Sequence, residues 1–487
     1  MMSPISPSAL ALSLALYGTA AASPLLHRPR HVVNNQFSCN NLNNWDDLNG
    51  NETISLGLIR LATTDKSKRI GNLFINPGGP GGPATQIVSA IAGGSKPGID
   101  ALLERFDLIG LDPRGVGLST PVQCDVDLFN KRTPVFTQTR EAYEDLVAHN
   151  LAVRSDCLAK TGRLLDFVDT ISAVKDHEAV RLALGGEKTS FVGLSYGTQL
   201  FSQYAQLFPD GIRAMVLDGN LQHSQSESSN LLIESAAYEA VLKQFFAWSA
   251  DNDDSVLKGE DAQQAWLDVL AKAAAAPIPA PGCDDGPDTG CRSDVTEEEV
   301  RLNGQGLLIS VANWPTLAQA LVEARDSADA TLISLAQPLA VGDPYVDSYL
   351  FGGNAIQCQD WTHATGSLAA IQQKQELGAT FSPLTRGASQ TYTIQTRCIG
   401  WPAPKNPPKP VSYEGDATLL MVNSNYDPST SYAWGLGLQS ELGDNTVFLT
   451  RDGSGHTSFF LGGETAAAEM AYLISLELPP AGTVLES

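Results

Sequence analysis

A serine framed by two glycines is the feature of this sequence that most directly suggests chemistry. Residues 191–198 read FVGLSYGT and contain G-x-S-x-G, with Gly193 and Gly197 on either side of Ser195. A β-branched run precedes the motif and a helical pattern follows it, which is the context of a nucleophile elbow. Because Gly193 and Gly197 have no side chains, the backbone can turn tightly there, and the Ser195 hydroxyl then lies above a helix N-terminus. The motif predicts Ser195 as a nucleophile, and an ordinary Gly/Ser loop is the alternative.

A glycine-rich loop could stabilise the oxyanion that such a nucleophile creates. Residues 76–82 read NPGGPGG and follow an apolar run that ends at Ile75. Acyl transfer needs two backbone N–H donors aimed at the developing oxyanion. We assign the N–H groups of Gly79 and Tyr196 to this role, with Gly78 in support. A tight turn is the structural alternative, and a phosphate loop is excluded because Lys and Ser/Thr are missing from the Walker positions.

The general base should be a histidine that follows the nucleophile in the chain. His223, His363 and His456 meet that condition. His456 stands in a glycine-rich loop just after the last predicted strand, where a base is expected, and we assign it this role. Histidines in positions like those of His223 and His363 more often face solvent or lie in the core than act in catalysis.

The acid that orients the imidazole should follow the penultimate strand. Asp427 comes directly after the apolar run 419–422 and its polar extension, ahead of His456 by the length of one helix and one strand. Asp452 is the competitor, although an N-cap or turn role suits it better. Ser195, Asp427 and His456 therefore occur in the order nucleophile, acid, base, each at the C-terminal end of a predicted strand.

Strands that alternate with helices must position these residues. The alternation before residue 219 is typical of βαβ units around a mostly parallel, buried sheet. We predict a signal peptide at 1–22, core segments at 23–219 and 354–487, and a helical cap inserted at 220–353. Strands are predicted near residues 69–76, 106–112, 190–194, 213–218, 418–423 and 446–450, and helices near 170–184, 429–442 and 464–476.

The N-terminus and the charge balance indicate an exported protein. Residues 9–17 form a short apolar run, and the alanines at 20–22 offer an A-x-A cleavage site. No later apolar stretch is long enough to span a membrane. The formal net charge of -23 disfavours nucleic acid and anionic membrane surfaces as partners. Asn51 lies in the sequon Asn-Glu-Thr and is a predicted glycan site.

Cysteine usage is consistent with export, since seven cysteines occur without C-x-x-C or zinc spacing. No metal site is predicted. Proximity in sequence suggests three disulfides, although six cysteines allow 15 pairings, and Cys39 is left over. The suggested pairs are Cys124 with Cys157, Cys283 with Cys291, and Cys358 with Cys398.

Three motifs together carry a family resemblance. The combination of NPGGPGG, DPRGVG at residues 112–117 and GLSYGT at 193–198 resembles the tripeptidyl and prolyl aminopeptidase-like branch of the α/β hydrolases. The segments 358–361 and 398–402 also look like the cysteine-bearing segments of that family. The resemblance implies an α/β-hydrolase fold, cofactor-free exopeptidase chemistry and a short peptide bound beneath the cap. It also implies that Arg114 braces the loops around the site, whereas a salt-bridged strand-end role is equally compatible with the sequence.

Two other functions remain open at this point. The same residues could cleave an ester, a lactone or another small acyl substrate. A catalytically silent relative used for binding is the alternative of a different class, although such proteins usually lose the nucleophile or the base. No prediction of the oligomeric state follows from the sequence.

Overall fold

The computed structural model describes residues 32–38, 53–96, 98–283, 290–334 and 348–486. The predicted signal peptide at 1–22, Cys39 and the predicted glycan site Asn51 lie outside the described residues.

A nine-stranded sheet forms the centre of the protein. Its strand order is β1-β2-β4-β3-β5-β6-β9-β10-β11. β2 runs antiparallel to β1 and to β4, and the other neighbouring strands are parallel. The strands of this sheet are β1 Val32–Ser38, β2 Ser55–Leu61, β3 Gly71–Asn76, β4 Phe106–Leu111, β5 Thr189–Leu194, β6 Ile212–Asp218, β9 Leu419–Tyr426, β10 Thr446–Ser454 and β11 Val484–Glu486, while β7 Ile278–Pro279 and β8 Asp294–Val295 pair separately. This arrangement confirms the predicted α/β-hydrolase fold.

Helices cover both faces of the sheet and form a separate layer above its C-terminal edge. The helices are α1 Ala84–Ala92, α2 Asp100–Leu103, α3 Val126–Asn130, α4 Arg140–Thr161, α5 Thr170–Ala183, α6 Tyr196–Leu207, α7 Glu227–Asp251, α8 Ala262–Ala275, α9 Glu297–Leu308, α10 Trp314–Val322, α11 Thr331–Ser334, α12 Gly353–Asp360, α13 Leu368–Phe381, α14 Gln390–Arg397, α15 Tyr432–Leu442 and α16 Gly463–Ser475. None of the helices in the described ranges is long and apolar enough to cross a membrane.

The central strands β3, β4 and β5 bury both of their faces, as the continuous apolar runs predict. Phe191 and Met215 pack on one side of the sheet, whereas Val192 and Val216 pack on the other. This alternation follows from the period of two along a strand. The sheet is thereby held between two apolar layers, so the loops at its C-terminal edge stand on a rigid base.

The helices after residue 220 have an apolar cluster of their own. Tyr238, Trp266 and Trp314 are buried together with neighbouring side chains of α7 to α11. α13 and α14 also contact α7, although they lie in the segment that the sequence analysis assigns to the C-terminal core. The boundary predicted at residue 353 stays a prediction.

Two disulfides join segments around the sheet, and a third closes a short loop in the helical layer. The structure contains the three pairs predicted from sequence proximity. Cys358 at α12 is joined to Cys398, which follows α14. That bond fixes the C-terminal end of α14 beside the cavity described below.

Candidate active site

Ser195 occupies a strained turn between β5 and α6. Its φ of 58° and ψ of -126° lie where few residues other than glycine are found. Close packing explains the flanking glycines, because an added Cβ at Gly193 would overlap the Gly197 carbonyl group. A Cβ at Gly78 would lie 2.7 Å from the Ser195 Cβ. The elbow and the glycine-rich loop therefore touch, and the sequence motif follows from that contact.

Two backbone amides beside Ser195 are without an acceptor among the described residues. The Gly78 N–H donates to Asn76 Oδ1 at 3.0 Å, so it is already used. The N–H groups of Gly79 and Tyr196 donate to no described residue. Tyr196 is the first residue of α6, where an N–H has no partner within the helix. These two amides are suited to receive an anionic oxygen.

Asp427 and His456 form a buried pair. His456 Nδ1 lies 2.8 Å from Asp427 Oδ2 and 3.1 Å from Oδ1. The carboxylate also accepts the N–H groups of Ser429 and Thr430, both at 2.8 Å. The Thr430 hydroxyl donates to Asp427 Oδ2 at 2.8 Å and lies 3.2 Å from His456 Nδ1. The imidazole is thus fixed by two side chains, and sequence reasoning missed Thr430 although it lies only three positions after Asp427.

The surroundings of His456 favour the protonated ring. Burial by itself lowers the pKa of His456, but the charge of Asp427, its hydrogen bond and the more distant Asp218 outweigh that effect and raise the pKa overall. Arg451 opposes the rise weakly. An imidazole in this position can accept a proton and keep the resulting charge paired.

The ring of His456 stands beside the strand end that adjoins Ser195. An added Cβ at Gly219 would lie 3.1 Å from His456 Cε1, and the Ser195 N–H donates to the carbonyl of Asp218. His456 Nε2 is buried and has no hydrogen-bond partner among the described residues. The hydrogen bond between Ser195 Oγ and this nitrogen is therefore not formed in the structure. Such bonds are often long in the absence of substrate and shorten in the complex.

Two buried charged side chains hold the loop that carries His456. Arg451 donates to the Ser458 hydroxyl at 3.0 Å and to the Gly455 carbonyl at 2.7 Å. Asp218 Oδ2 accepts the N–H groups of Ser458 and Phe459 at 2.6 and 2.9 Å. Burial raises the pKa of Asp218 to about 6. Both residues act on the backbone of the loop and thereby position the imidazole.

The segment DPRGVG holds the first turn of α1, which follows the glycine-rich loop. Asp112 accepts the N–H and the hydroxyl of Thr85 and the N–H of Leu118, at 2.7 to 2.8 Å. Arg114 is buried and binds Asp176 of α5 through two hydrogen bonds of 2.7 and 2.8 Å. This ion pair matches the salt-bridged role of Arg114, and its role in bracing the loops around the site stays a prediction.

The alternative candidates lie elsewhere. His223 Nε2 lies 2.7 Å from the Asp360 carbonyl, and burial lowers the pKa of His223 to about 4. His363 Nε2 lies 3.3 Å from the carbonyl of Cys358. Asp452 is exposed at the end of β10. None of the three contacts Ser195, Asp427 or His456 in the described residues.

Ser195 opens onto a cavity of about 350 Å³ between the sheet and the helices of residues 227–397. A second cavity of about 410 Å³ is lined by His456, Leu194 and Ile309. Volumes of this size are typical of sites for small ligands. The described lining of the first cavity includes Gly79, Glu234, Gln305, Tyr349, Arg397 and Thr430.

Comparison with known families and proteins gives a consistent result. Residues 71–274 match the profile of the alpha/beta hydrolase fold, and residues 382–484 match that of the TAP-like protein family. Serine protease Hip1 of Mycobacterium tuberculosis is 30% identical over 447 residues, which cover 88% of this chain and 83% of the relative.

Two further relatives carry different activities in their names. Carboxylesterase B of Mycobacterium tuberculosis is 30% identical over 450 residues, which cover 89% of this chain and 83% of that protein. Tripeptidyl aminopeptidase of Streptomyces lividans is 33% identical over 236 residues, which cover 46% of this chain and 43% of that protein.

Proposed function

The chain belongs to the TAP-like peptidase family of the α/β hydrolases and is a serine hydrolase, and from this premise we propose that it is an exported exopeptidase. It would release short N-terminal pieces of peptides through an acyl-enzyme on Ser195. One observation carries the proposal. A buried Asp427–His456 pair lies at the same edge of the sheet as the strained turn of Ser195, which lines a cavity.

The proposed reaction follows from the positions of the three side chains. His456 Nε2 takes the proton of Ser195 as Oγ attacks the scissile carbonyl, and the Gly79 and Tyr196 amides bind the oxyanion. The imidazolium then gives its proton to the leaving amine, and the C–N bond breaks. Water then attacks the acyl-enzyme ester by the same steps: His456 accepts a proton from the water and returns it to Ser195 Oγ as the acyl group leaves as a carboxylic acid. Asp427 keeps Nδ1 protonated and stabilises the charged ring.

Glu234 supports the exopeptidase part of the proposal. This residue of α7 is buried at the cavity wall, where Oε1 accepts from Gln305 Nε2 at 2.9 Å and Oε2 accepts from the Thr391 N–H at 2.7 Å. Burial raises the pKa of Glu234 to about 7. A carboxylate there would pair with the ammonium group of a peptide whose N-terminus lies deep in the cavity. That contact would favour substrates with a free amine.

A comparison of free and blocked peptides tests this proposal. We expect kcat/KM for a free-amine tripeptide amide to exceed that of its N-acetylated form by roughly 30-fold, the effect of about 2 kcal/mol for a buried ion pair. The ratio should rise as the pH increases through about 7, because Glu234 becomes charged. It should fall again as the peptide amine loses its proton near pH 8. Since both substrates depend on His456, its titration cancels from the ratio.

Glu234→Gln should remove the preference for the free amine and its pH dependence. Glu376→Gln, an exposed change on α13, is the matched control and should preserve both. Equal cleavage of free and acetylated peptides by the unchanged protein would contradict the exopeptidase assignment. Rapid turnover of short acyl esters with no peptide cleavage would favour an esterase instead, as one relative's name suggests.

Thr430 provides a second test of the proposed machinery. Thr430→Val removes the hydroxyl that donates to Asp427 and leaves the two backbone donors in place. One hydrogen bond to a charged acceptor is worth about 1.5 kcal/mol, so kcat/KM should fall roughly ten-fold. Thr430→Ser keeps the hydroxyl and should retain most of the activity. Steady-state kinetics of both variants check this, and a larger loss in Thr430→Ser than in Thr430→Val would assign Thr430 a packing role.

Export is supported by the disulfides. Three disulfides are stable in an oxidising compartment and rare in the cytosol. A processed N-terminus after residue 22, read by mass spectrometry of protein from the culture medium, would support the predicted signal peptide.

A further inference from the structure

The charged side chains that line the Ser195 cavity differ in whether they have hydrogen-bond or ion-pair partners. Among its described lining residues, Glu234, Glu299 and Arg397 carry ionisable acidic or basic groups. Glu299 is paired with two arginines, whose Nε atoms lie 3.0 Å (Arg132) and 3.2 Å (Arg292) from its Oε1. Glu234 has its two hydrogen bonds and a pKa near neutrality. Neither carboxylate forms an ion pair with Arg397.

Arg397 has no hydrogen bond or ion pair with any residue that the structure describes. It is the last residue of α14, and the disulfide of the adjacent Cys398 fixes that end of the helix to α12. The residue is exposed, and it lines the cavity. Burial and the nearby Arg292 lower the pKa of Arg397, and Glu298 raises it. A guanidinium that lines a ligand cavity without a partner is available to an anionic group of the ligand.

A second group of cations lies behind Arg397. The guanidinium also lines a smaller cavity of about 90 Å³ that shares Glu299 and Asn354 with the first. Lys131, Arg132 and Arg292 line it too, against Glu298 and Glu299 as the carboxylates. The Val135 and Phe136 amides bind Glu298, and two arginines bind Glu299. Asp294 also pairs with Arg132, at 2.5 Å, so four cations face three carboxylates and this group keeps a net positive charge, although the chain as a whole carries a formal charge of -23.

A role in stabilising the helix is the simpler alternative. A cation at a helix C-terminus interacts favourably with the helix dipole. That role is served equally well by a side chain directed to solvent. It does not explain why the guanidinium lines the cavity that contains Ser195.

We propose that Arg397 is a specificity-determining residue that binds a carboxylate of the substrate inside the Ser195 cavity. The inference rests on the proposed function, from which it takes the class of substrate, a short peptide. The planar guanidinium can bind both carboxylate oxygens at once. The carboxylate belongs either to an acidic side chain in the released portion or to the C-terminus of a very short peptide. In either case, one negative charge of the substrate lies opposite Arg397.

Matched substrates separate these two sources. The first pair consists of tripeptide aminocoumarin amides with Glu or Gln at one position, scanned through the three positions of the released portion. The second pair consists of one tetrapeptide as the free acid and as the C-terminal amide. We expect the charged member of at least one pair to have a kcat/KM about ten-fold higher or more, with the difference mainly in KM.

Arg397→Gln should reduce the ratio of kcat/KM for the charged over the neutral substrate to about one. Arg397→Lys should retain part of this ratio, because lysine keeps the positive charge but cannot bind both carboxylate oxygens as a guanidinium does. Arg140→Gln, on the exposed face of α4, is the control and should keep the full ratio. Reaction of each variant with a fluorophosphonate probe shows that Ser195 is still folded into its site. Equal cleavage of the charged and neutral members by the unchanged protein, or equal losses for both in Arg397→Gln, would overturn the inference.

The inference can fail without the proposed function failing, and the reverse is also true. Cleavage of free-amine peptides without any preference for a carboxylate would leave the exopeptidase proposal in place. If only esters are turned over, the same test uses the nitrophenyl monoester of glutaric acid and the nitrophenyl ester of its neutral monoamide. A preference for the charged ester that Arg397→Gln abolishes would then support the subsite, and equal turnover would refute it.

Discussion

Replacing Ser195 with alanine is expected to lower kcat for every substrate by about 10⁶-fold, because the covalent route is lost. The residual rate would come from substrate binding and from the amides of Gly79 and Tyr196. The same change should abolish labelling by a fluorophosphonate probe. Intact-mass analysis checks this directly, since the unchanged protein gains one adduct that peptide mapping places on Ser195.

Ser475→Ala is the matched control for this prediction. Ser475 lies exposed at the end of α16, and its hydroxyl donates only to the Ala471 carbonyl. This variant should be labelled and active like the unchanged protein. An adduct on a different serine, or full activity in Ser195→Ala, would refute the proposed nucleophile.

The elbow could be predicted from sequence because its geometry restricts the residue types. Ser195 has a positive φ, and its glycine neighbours leave no space for a Cβ. The restriction acts within a few positions along the chain, so it appears as a short motif. The same holds for the glycine-rich loop, where an added Cβ at Gly78 would collide with the elbow.

The strands could be predicted because burial on both faces requires continuous apolar runs. The six predicted strands match the structure to within a few residues, whereas β1, β2 and β11 of the same sheet are not among the predicted strands. The largest difference among the six is at β10. That strand was predicted to end at residue 450 but continues to Ser454. Its last residues are polar because they approach the loop of His456, where apolar residues are not required.

The residues that escaped prediction act across long distances in the chain. Glu234 meets Gln305 and Thr391, and Asp218 meets the loop after Gly455. No local pattern marks such contacts, because each partner comes from a different element. Arg397 escaped for a further reason, since an unpaired cation can be recognised only when the cavity around it is known.

Asp427→Asn is expected to reduce kcat by about 10⁴-fold while the fold is retained. The amide can donate to His456 Nδ1 and would then stabilise the wrong tautomer, with Nε2 protonated. The backbone donors of Ser429 and Thr430 can still bind the side-chain oxygen, so the loop should keep its shape. Steady-state kinetics at several pH values would measure the loss, and circular dichroism would verify the fold.

The pKa of His456 provides an independent measurement of the same contact. In the unchanged protein, Asp427 overcomes the effect of burial and raises the pKa above 6.5, so activity should increase with pH through a value above 6.5 as the imidazole loses its proton. Without the negative charge, burial dominates and the pKa should fall below 6.5. Nuclear magnetic resonance of the labelled imidazole reads this shift even where turnover is too slow to follow. A pKa that stays unchanged in Asp427→Asn would mean that another group supports His456, and the proposed relay of Ser195, His456 and Asp427 would then lose its acid.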